Sequence, residues 1–232
     1  MITETSGAWP PGFRIMPRGS GPSPEWLERY RGIPTSWVSD AMGRCVGTYG
    51  IRPYHSDLNA IICGPAFTVR VRPGDNLMIH KAMELAAEGD VLVIDGGADV
   101  SQALLGGNMM TTAVFKKFAG FIIDGAIRDI CDWATNVMPI WARGHTHRGP
   151  TKDGPGEINV SVAIAGMPVS PGDLVIADAD GVLAIPVSRL EAIWPEVEKQ
   201  QQKEERTRKA NAVKLPDPER FDSILRAKGC PV

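Results

Sequence analysis

The chain has few cysteines and no paired ones. Cys45, Cys63, Cys131 and Cys230 form neither a CxxC pair nor a regular framework, so neither a zinc cage nor a disulfide scaffold is expected. Free thiols in a reducing cytoplasm are the simplest reading. No uninterrupted apolar run approaches the roughly 20 residues of a membrane helix. The segment MITETSGAWPPGFRIMPRG has no apolar stretch of the kind a secretory signal carries. A cytoplasmic protein without a membrane partner is therefore expected. Basic charge is not in surplus: 25 Lys and Arg face 27 Asp and Glu, for a net charge of −2. A chain built to hold phosphate backbone usually carries more Lys and Arg than that, which disfavours nucleic acid as a principal partner. The phosphate-binding fingerprints GxGxxG and GxxxxGK[ST] are missing as well.

What the 232 residues do contain is 43% apolar residues, enough for a sizeable core. There are also 25 glycines and 19 prolines, which imply many tight turns. The length suits one domain with appended arms: an N-terminal arm over 1–22, an α/β core over 23–187 and a C-terminal helix and tail over 188–232. Ser23-Pro24-Glu25 starts a helix through Tyr30, and Thr35 is placed to cap a second one through Ala41-Met42. Residues 66–72 alternate as a strand with one wet face. Asp75-Asn76 reads as turn and cap for a helix over 77–87. Val91–Asp95 and Phe121–Asp124 are short apolar runs suited to buried strands, with a helix from Gly106-Gly107 to Phe118 between them. Strand, helix, strand with short links implies parallel βαβ units. The latter half reads as strands at 139–142, 157–164, 167–169, 174–178 and 182–186. A long helix from a Ser188 cap to about Val213 follows, with Glu204/Arg208 and Glu205/Lys209 as i,i+4 pairs, and Pro216-Asp217-Pro218 breaks it.

The chemistry is concentrated in Asp124-Gly125-Ala126-Ile127-Arg128-Asp129-Ile130-Cys131-Asp132, directly after a buried strand, where open α/β sheets gather their ligands. If Asp129 starts a helix, Asp129 and Asp132 share a face and can approach one hard cation, Mg²⁺ or Mn²⁺. Arg128 beside them offers a planar fork for a carboxylate. The plain alternative is an acidic helix start with a surface Arg. The pair Gly106-Gly107 opens a helix whose free amides suit an anion; its plain alternative is a turn.

Taken together, Gly107, twenty residues, Arg128-Asp129, two residues and Asp132 form a pattern that resembles the class II pyruvate aldolases of 4-hydroxy-4-methyl-2-oxoglutarate and 4-carboxy-4-hydroxy-2-oxoadipate. These share a fold with the regulator of ribonuclease E activity A. The resemblance runs over about 30–210, through Ser39-Asp40-Ala41, 89–96, 123–129, 154–159, Gly172-Asp173 and Asp180-Gly181-Val182. It implies a single-domain layered sandwich, swivelling-domain-like α-β-β-α, with helical N- and C-terminal arms. It further implies Asp129 as metal ligand and Asp132 as holder of metal-bound water, with Mg²⁺, Mn²⁺ or Co²⁺ as the cation. Arg128 would grip the pyruvyl carboxylate and neutralise enolate charge, and the amides of Asn108 and Met109, after Gly107, would bind the same carboxylate. A homotrimer or homohexamer is implied, with a glutamate lent across the interface by a neighbour's C-terminal helix; Glu204 and Glu205 are the candidates, and a surface ion pair is the plain reading of either.

The expected activity is cleavage of a 4-hydroxy-2-oxo di- or tricarboxylic acid to pyruvate and a second 2-oxo acid, with oxaloacetate decarboxylation as a side activity through the same enolate. The rival expectation is a non-catalytic regulator that binds a ribonuclease or helicase. Asp132 speaks against it, since a pure regulator needs no metal-water holder. His145-Thr146-His147 would share a face on a strand and could bind zinc, but no third ligand is apparent; a polar loop or a device that tunes substrate size is the alternative. Asp40, Asp95 and Asp124 are read as caps or turn acceptors.

Overall fold

Strand β3 decides the architecture, because its ten residues belong to two layers at once. Residues 9–135, 137–214 and 219–232 are described by a computed structural model of the chain; residues 1–8 of the expected arm and the Pro216-Asp217-Pro218 break lie outside them. In chain order the strands are β1 (Phe13–Ile15), β2 (Arg52–Pro53), β3 (Ile62–Val71), β4 (Val91–Asp95), β5 (Ala103–Leu105) and β6 (Gly120–Ile127). Then come β7 (Ile140–His145), β8 (Gly156–Ile158), β9 (Val162–Ile164), β10 (Met167–Val169), β11 (Leu174–Asp178) and β12 (Gly181–Ile185). The helices are α1 (Pro24–Tyr30), α2 (Thr35–Ala41), α3 (Leu77–Leu85), α4 (Gly107–Lys116), α5 (Ile130–Thr135), α6 (Leu190–Asn211) and α7 (Glu219–Ala227).

The main sheet runs β1-β8-β3-β4-β6-β7-β2. Strands β3, β4, β6 and β7 are mutually parallel, and β5 joins the end of β6 in parallel. The first residues of β3 pair instead with antiparallel β11, Leu174 opposite Pro65, and β11 pairs with β12. The apolar strands bury both faces, and alternation sorts their side chains. Leu92, Ile94, Phe121 and Ile123 meet Ile79, Met83, Met110 and Trp133 of the helices on one face. Val91, Val93, Ile122 and Trp141 meet Val162, Ile164, Leu174 and Ile176 on the other. Tyr30, Val38, Leu190, Ile193 and Val197 of α1, α2 and α6 close that second core. The layers are thus helix, sheet, strands, helix: an α-β-β-α sandwich with helices at both ends of the chain.

Several local expectations are corrected. Phe13–Ile15, inside the expected arm, pairs in parallel with β8, and Arg18 forks onto the fully buried Asp90 carboxylate, so this stretch closes the sheet edge. Thr35 caps nothing; its amide and hydroxyl donate to Asp178 at 2.8 and 2.7 Å. A 3₁₀ turn, Val187–Arg189, precedes α6 without a Ser188 side-chain cap. On α6 the expected Glu204/Arg208 pair gives way to a Gln200–Glu204 hydrogen bond of 3.1 Å, and Arg208 lies over the Trp37 ring. Glu205 accepts from Gln201. The 157–164 run divides into β8 and β9 because Asn159 takes a left-handed φ of 56°. The last residues form α7. Among the described residues no helix is long and apolar enough to cross a membrane.

Candidate active site

The carboxyl ends of β3, β4, β6 and β7 lie side by side in the parallel part of the sheet, with β5 along the end of β6; there the chain leaves each strand for a turn or helix and exposes its polar groups. From β6 comes Arg128-Asp129. Three bonds clamp this turn: the Arg128 amide donates to the Leu105 carbonyl (2.9 Å), the Arg128 carbonyl accepts from the Trp133 indole (2.9 Å), and the Asp132 amide donates to the Asp129 carbonyl (3.0 Å). Trp133 is itself fully buried against Phe121. Asp129 is held at φ 59°, a left-handed backbone that only Gly, Asn and Asp adopt readily. It therefore precedes α5 rather than starting it. That bend places its carboxylate on the entrance of α4, where Oδ2 accepts from the Gly107 amide at 2.9 Å, with Arg128 Nε 3.6 Å away.

Gly106 and Gly107 are small because the carboxylates come so close. A Cβ on Gly106 would stand 2.5 Å from Asp129 Oδ2 and 3.0 Å from Arg128 Nε, and one on Gly107 would overlap Asp132 Oδ2. Both carboxylates thus sit over successive glycines, side by side at one helix entrance. The Met109 amide donates to the Gly106 carbonyl at 3.0 Å within the first turn of α4. The Asn108 amide makes no such bond among the described residues and remains available.

A hollow of about 250 Å³ opens here, lined by Arg128, Asp129, Gly106, Asn108 and Met109 together with Asn76, His80, Pro150 and Lys152. The last four have no motif to announce them. Asn76 and His80 follow β3, and Lys152 comes from the loop before β8. The fully buried Asp75 ties that loop down, accepting from the Leu77 amide (3.0 Å), the Thr151 hydroxyl (2.7 Å) and the Asp153 amide (2.7 Å). Burial pushes the Asp75 carboxyl up, but these donors outweigh it and hold it below the usual carboxylate range. Burial, with the Lys152 charge second, lowers the His80 imidazole and keeps it neutral near pH 7.

A second hollow of about 300 Å³ lies on the other side of Arg128 and Asp129, lined by Ile130, His145, Thr146 and His147. His145 ends β7 and rests against Tyr54, its Nδ1 3.3 Å from the hydroxyl. Among the described residues no three His, Cys, Asp or Glu side chains converge to hold a metal, so the zinc reading of His145 and His147 lacks its third ligand. The Asp129–Asp132 pair fits a different ion. Mg²⁺ and its like are bound through one or two carboxylates, with water and substrate oxygens completing the shell. Asp124 and Asp95 serve structure: the first pairs with Arg143 and accepts from the Ala165 amide, and the second caps its own turn at Gly97. Asp40 pairs with Arg44 and accepts from Gln200. Leu190, Ile193 and Val197 of α6 are buried in this chain's own core, and Gln200 and Arg208, one turn to either side of Glu204, still touch Asp40 and Trp37 of α2.

The fold and the site define a layered α/β protein whose pocket, at the carboxyl edge of its sheet, sets Asp129 among Arg128, Lys152 and the Gly106 turn. The family model described as RraA-like, Aldolase/RraA, matches residues 35–184, and the chain belongs to that family. It is 40% identical over 187 residues to a putative 4-hydroxy-4-methyl-2-oxoglutarate aldolase of Halalkalibacterium halodurans, a match covering 80% of this chain and 88% of that protein. It is 36% identical over 127 residues to the 4-hydroxy-4-methyl-2-oxoglutarate aldolase of Thermus thermophilus, covering 55% and 77% of the two. Among solved structures it resembles Streptomyces coelicolor RraAS2, described as an unusual member of the RNase ES inhibitor RraA protein family. There the TM-score is 0.74 at 26% identity, over 82% of this chain and 98% of that one.

Proposed function

We propose that this protein is a divalent-metal-dependent lyase that cleaves a 4-hydroxy-2-oxo di- or tricarboxylic acid to pyruvate and a second 2-oxo acid. The observation that carries the reading is the convergence of Arg128, Asp129 and Asp132 on the Gly106-Gly107 helix entrance. The names of the Halalkalibacterium and Thermus relatives support it. Asp129 and Asp132 would hold the cation, Mg²⁺, Mn²⁺ or Co²⁺, which when bound supplies Lewis-acid stabilisation of enolate charge. Arg128 presents a fork to the substrate carboxylate and adds positive charge where negative charge develops. The Asn108 amide, at the positive end of α4, offers that carboxylate a further donor. No lysine Schiff base is needed. Oxaloacetate decarboxylation, which passes through the same enolate, is proposed as a side activity. A homotrimer or homohexamer, with Glu204 or Glu205 lent between copies, belongs to this proposal, as does a cytoplasmic setting.

The direct test couples pyruvate release to lactate dehydrogenase for a panel of 4-hydroxy-2-oxo acids, with and without EDTA. Pyruvate should appear only with the metal. Turnover undiminished by chelation contradicts the metal-dependent reading. The description of the Streptomyces structure favours a second reading, a protein that binds a ribonuclease. Inhibition of such an enzyme that persists in Asp129→Ala, with no pyruvate from any substrate, would support that reading instead.

A further inference from the structure

Asn76 occupies the N-cap of α3, where an asparagine side chain ordinarily accepts from a first-turn amide, a bond worth about 1 kcal/mol. It makes no capping bond here; Asp75 takes over that duty through the Leu77 amide. The Asn76 side chain turns instead toward β5 and α4. Its Nδ2 donates to the Leu104 carbonyl at 2.9 Å and lies 3.6 Å from Met109 Sδ. The Leu104 carbonyl also fixes which way round the amide sits, since the flipped amide would set two acceptors against each other. The side-chain oxygen, Oδ1, is left buried with no hydrogen-bond partner, in a residue only 3% exposed. That residue lines the hollow shared with Arg128 and Asp129. An unpaired buried acceptor costs about 1–3 kcal/mol. One residue thus gives up a cap and keeps an orphan acceptor on a lining that also holds Arg128 and Asp129.

An amide oxygen accepts and never donates. Among the polar groups of a hydroxy-2-oxo acid this excludes an ionised carboxylate and a keto oxygen, which only accept, and leaves the hydroxyl as the group that can donate to it. We infer that Asn76 is a specificity residue whose Oδ1 accepts a hydrogen bond from the hydroxyl of a hydroxy-2-oxo acid seated on Arg128. This rests on the proposed lyase reading and deepens it. Lys152, on the same lining, offers a positive charge to a carboxylate further along the substrate.

The test compares kcat/KM for cleavage of a 4-hydroxy-2-oxo acid with that for decarboxylation of oxaloacetate, which lacks the hydroxyl. Wild type, Asn76→Leu and Asn76→Ser are assayed, with inhibition by 2-oxoglutarate as a hydroxyl-free binding control. In Asn76→Leu the ratio of cleavage to decarboxylation should fall by about tenfold or more, the scale for one lost hydrogen bond. Inhibition by 2-oxoglutarate should hold. Asn76→Ser, which keeps a small acceptor, should recover part of the ratio. A purely structural Asn76 would lower both activities together. A constant ratio in Asn76→Leu, as expected if a fixed water satisfies Oδ1, overturns this inference while leaving the lyase reading intact. A wild type that decarboxylates oxaloacetate but cleaves no hydroxy-oxo acid overturns both.

Discussion

Gly106→Ala separates stability from chemistry at the site. Gly106 has a φ of −149°, extended backbone that any residue adopts, so the added methyl strains nothing in the chain itself. As an N-cap change it costs about 1 kcal/mol, a melting shift of about 2–4 °C for a protein of this size. The new Cβ, however, would lie 2.5 Å from Asp129 Oδ2, 3.0 Å from Arg128 Nε and 3.1 Å from Arg128 Cγ. Ordinary contact begins near 3.4 Å, so the Asp129 carboxylate must retreat by about 1 Å and lose its 2.9 Å bond to the Gly107 amide. A displacement of that size at reacting groups costs about 10²-fold in rate. Pyruvate release coupled to lactate dehydrogenase, read beside a thermal melt, tests this directly. A variant that melts within a few degrees of wild type yet loses about 10²-fold in kcat/KM agrees with the reasoning. Activity within a few-fold of wild type, or a loss that merely follows unfolding, refutes it.

Three further outcomes are expected. Arg128→Ala should lower kcat by about 10²-fold or more, the scale for removing one oxyanion donor; near-normal turnover would show that the guanidinium does not serve the reaction. His55 is buried against Trp141 with its Nε2 unpartnered, and burial holds the imidazole below its ordinary value. Below about pH 6.5 the unfolded chain takes up a proton that the folded one resists, so stability should fall as the pH drops from 7 toward that lowered value. Urea midpoints at pH 7 and 5 should differ less in His55→Asn than in wild type, and equal differences would refute the assignment. Asp75→Ala removes the acceptor shared by Arg72, Leu77, Thr151 and Asp153 and should destabilise by about 2–3 kcal/mol, read by urea melts. It should also loosen residues 151–153 toward amide exchange, and unchanged exchange there would contradict the role given to Asp75.

Strands β4 and β6 were legible because Val91–Ile94 and Phe121–Ile123 are uninterrupted apolar runs, each followed by Asp; Val91–Asp95 stands as read, and Gly106-Gly107 opens its helix as read. The Arg128-Asp129-Asp132 constellation could be read because its members are close in sequence, and the structure places them together. Other features rest on partners far along the chain. Thr35 looks like a cap until Asp178, 143 residues on, takes both its donors. Phe13–Ile15 looks like an arm because its pairing partner is Gly156–Ile158. The left-handed Asp129 is set by the Trp133 and Gly107 bonds rather than by local propensity. Asn76 and Lys152 enter the hollow only because Asp75 pins a loop some 75 residues away. A polar residue just past a parallel strand was the one available signal for Asn76.

The central claim is that the Arg128–Asp129–Asp132 site binds a cation and a pyruvate-like dianion together. Calorimetric titration of oxalate, which mimics the enolate of pyruvate, tests it without turnover. Binding should require Mg²⁺ in wild type and vanish in Asp129→Ala, with the fold of the variant confirmed by its melt. Oxalate that binds equally well without the metal, or to the Asp129→Ala protein, would contradict the account.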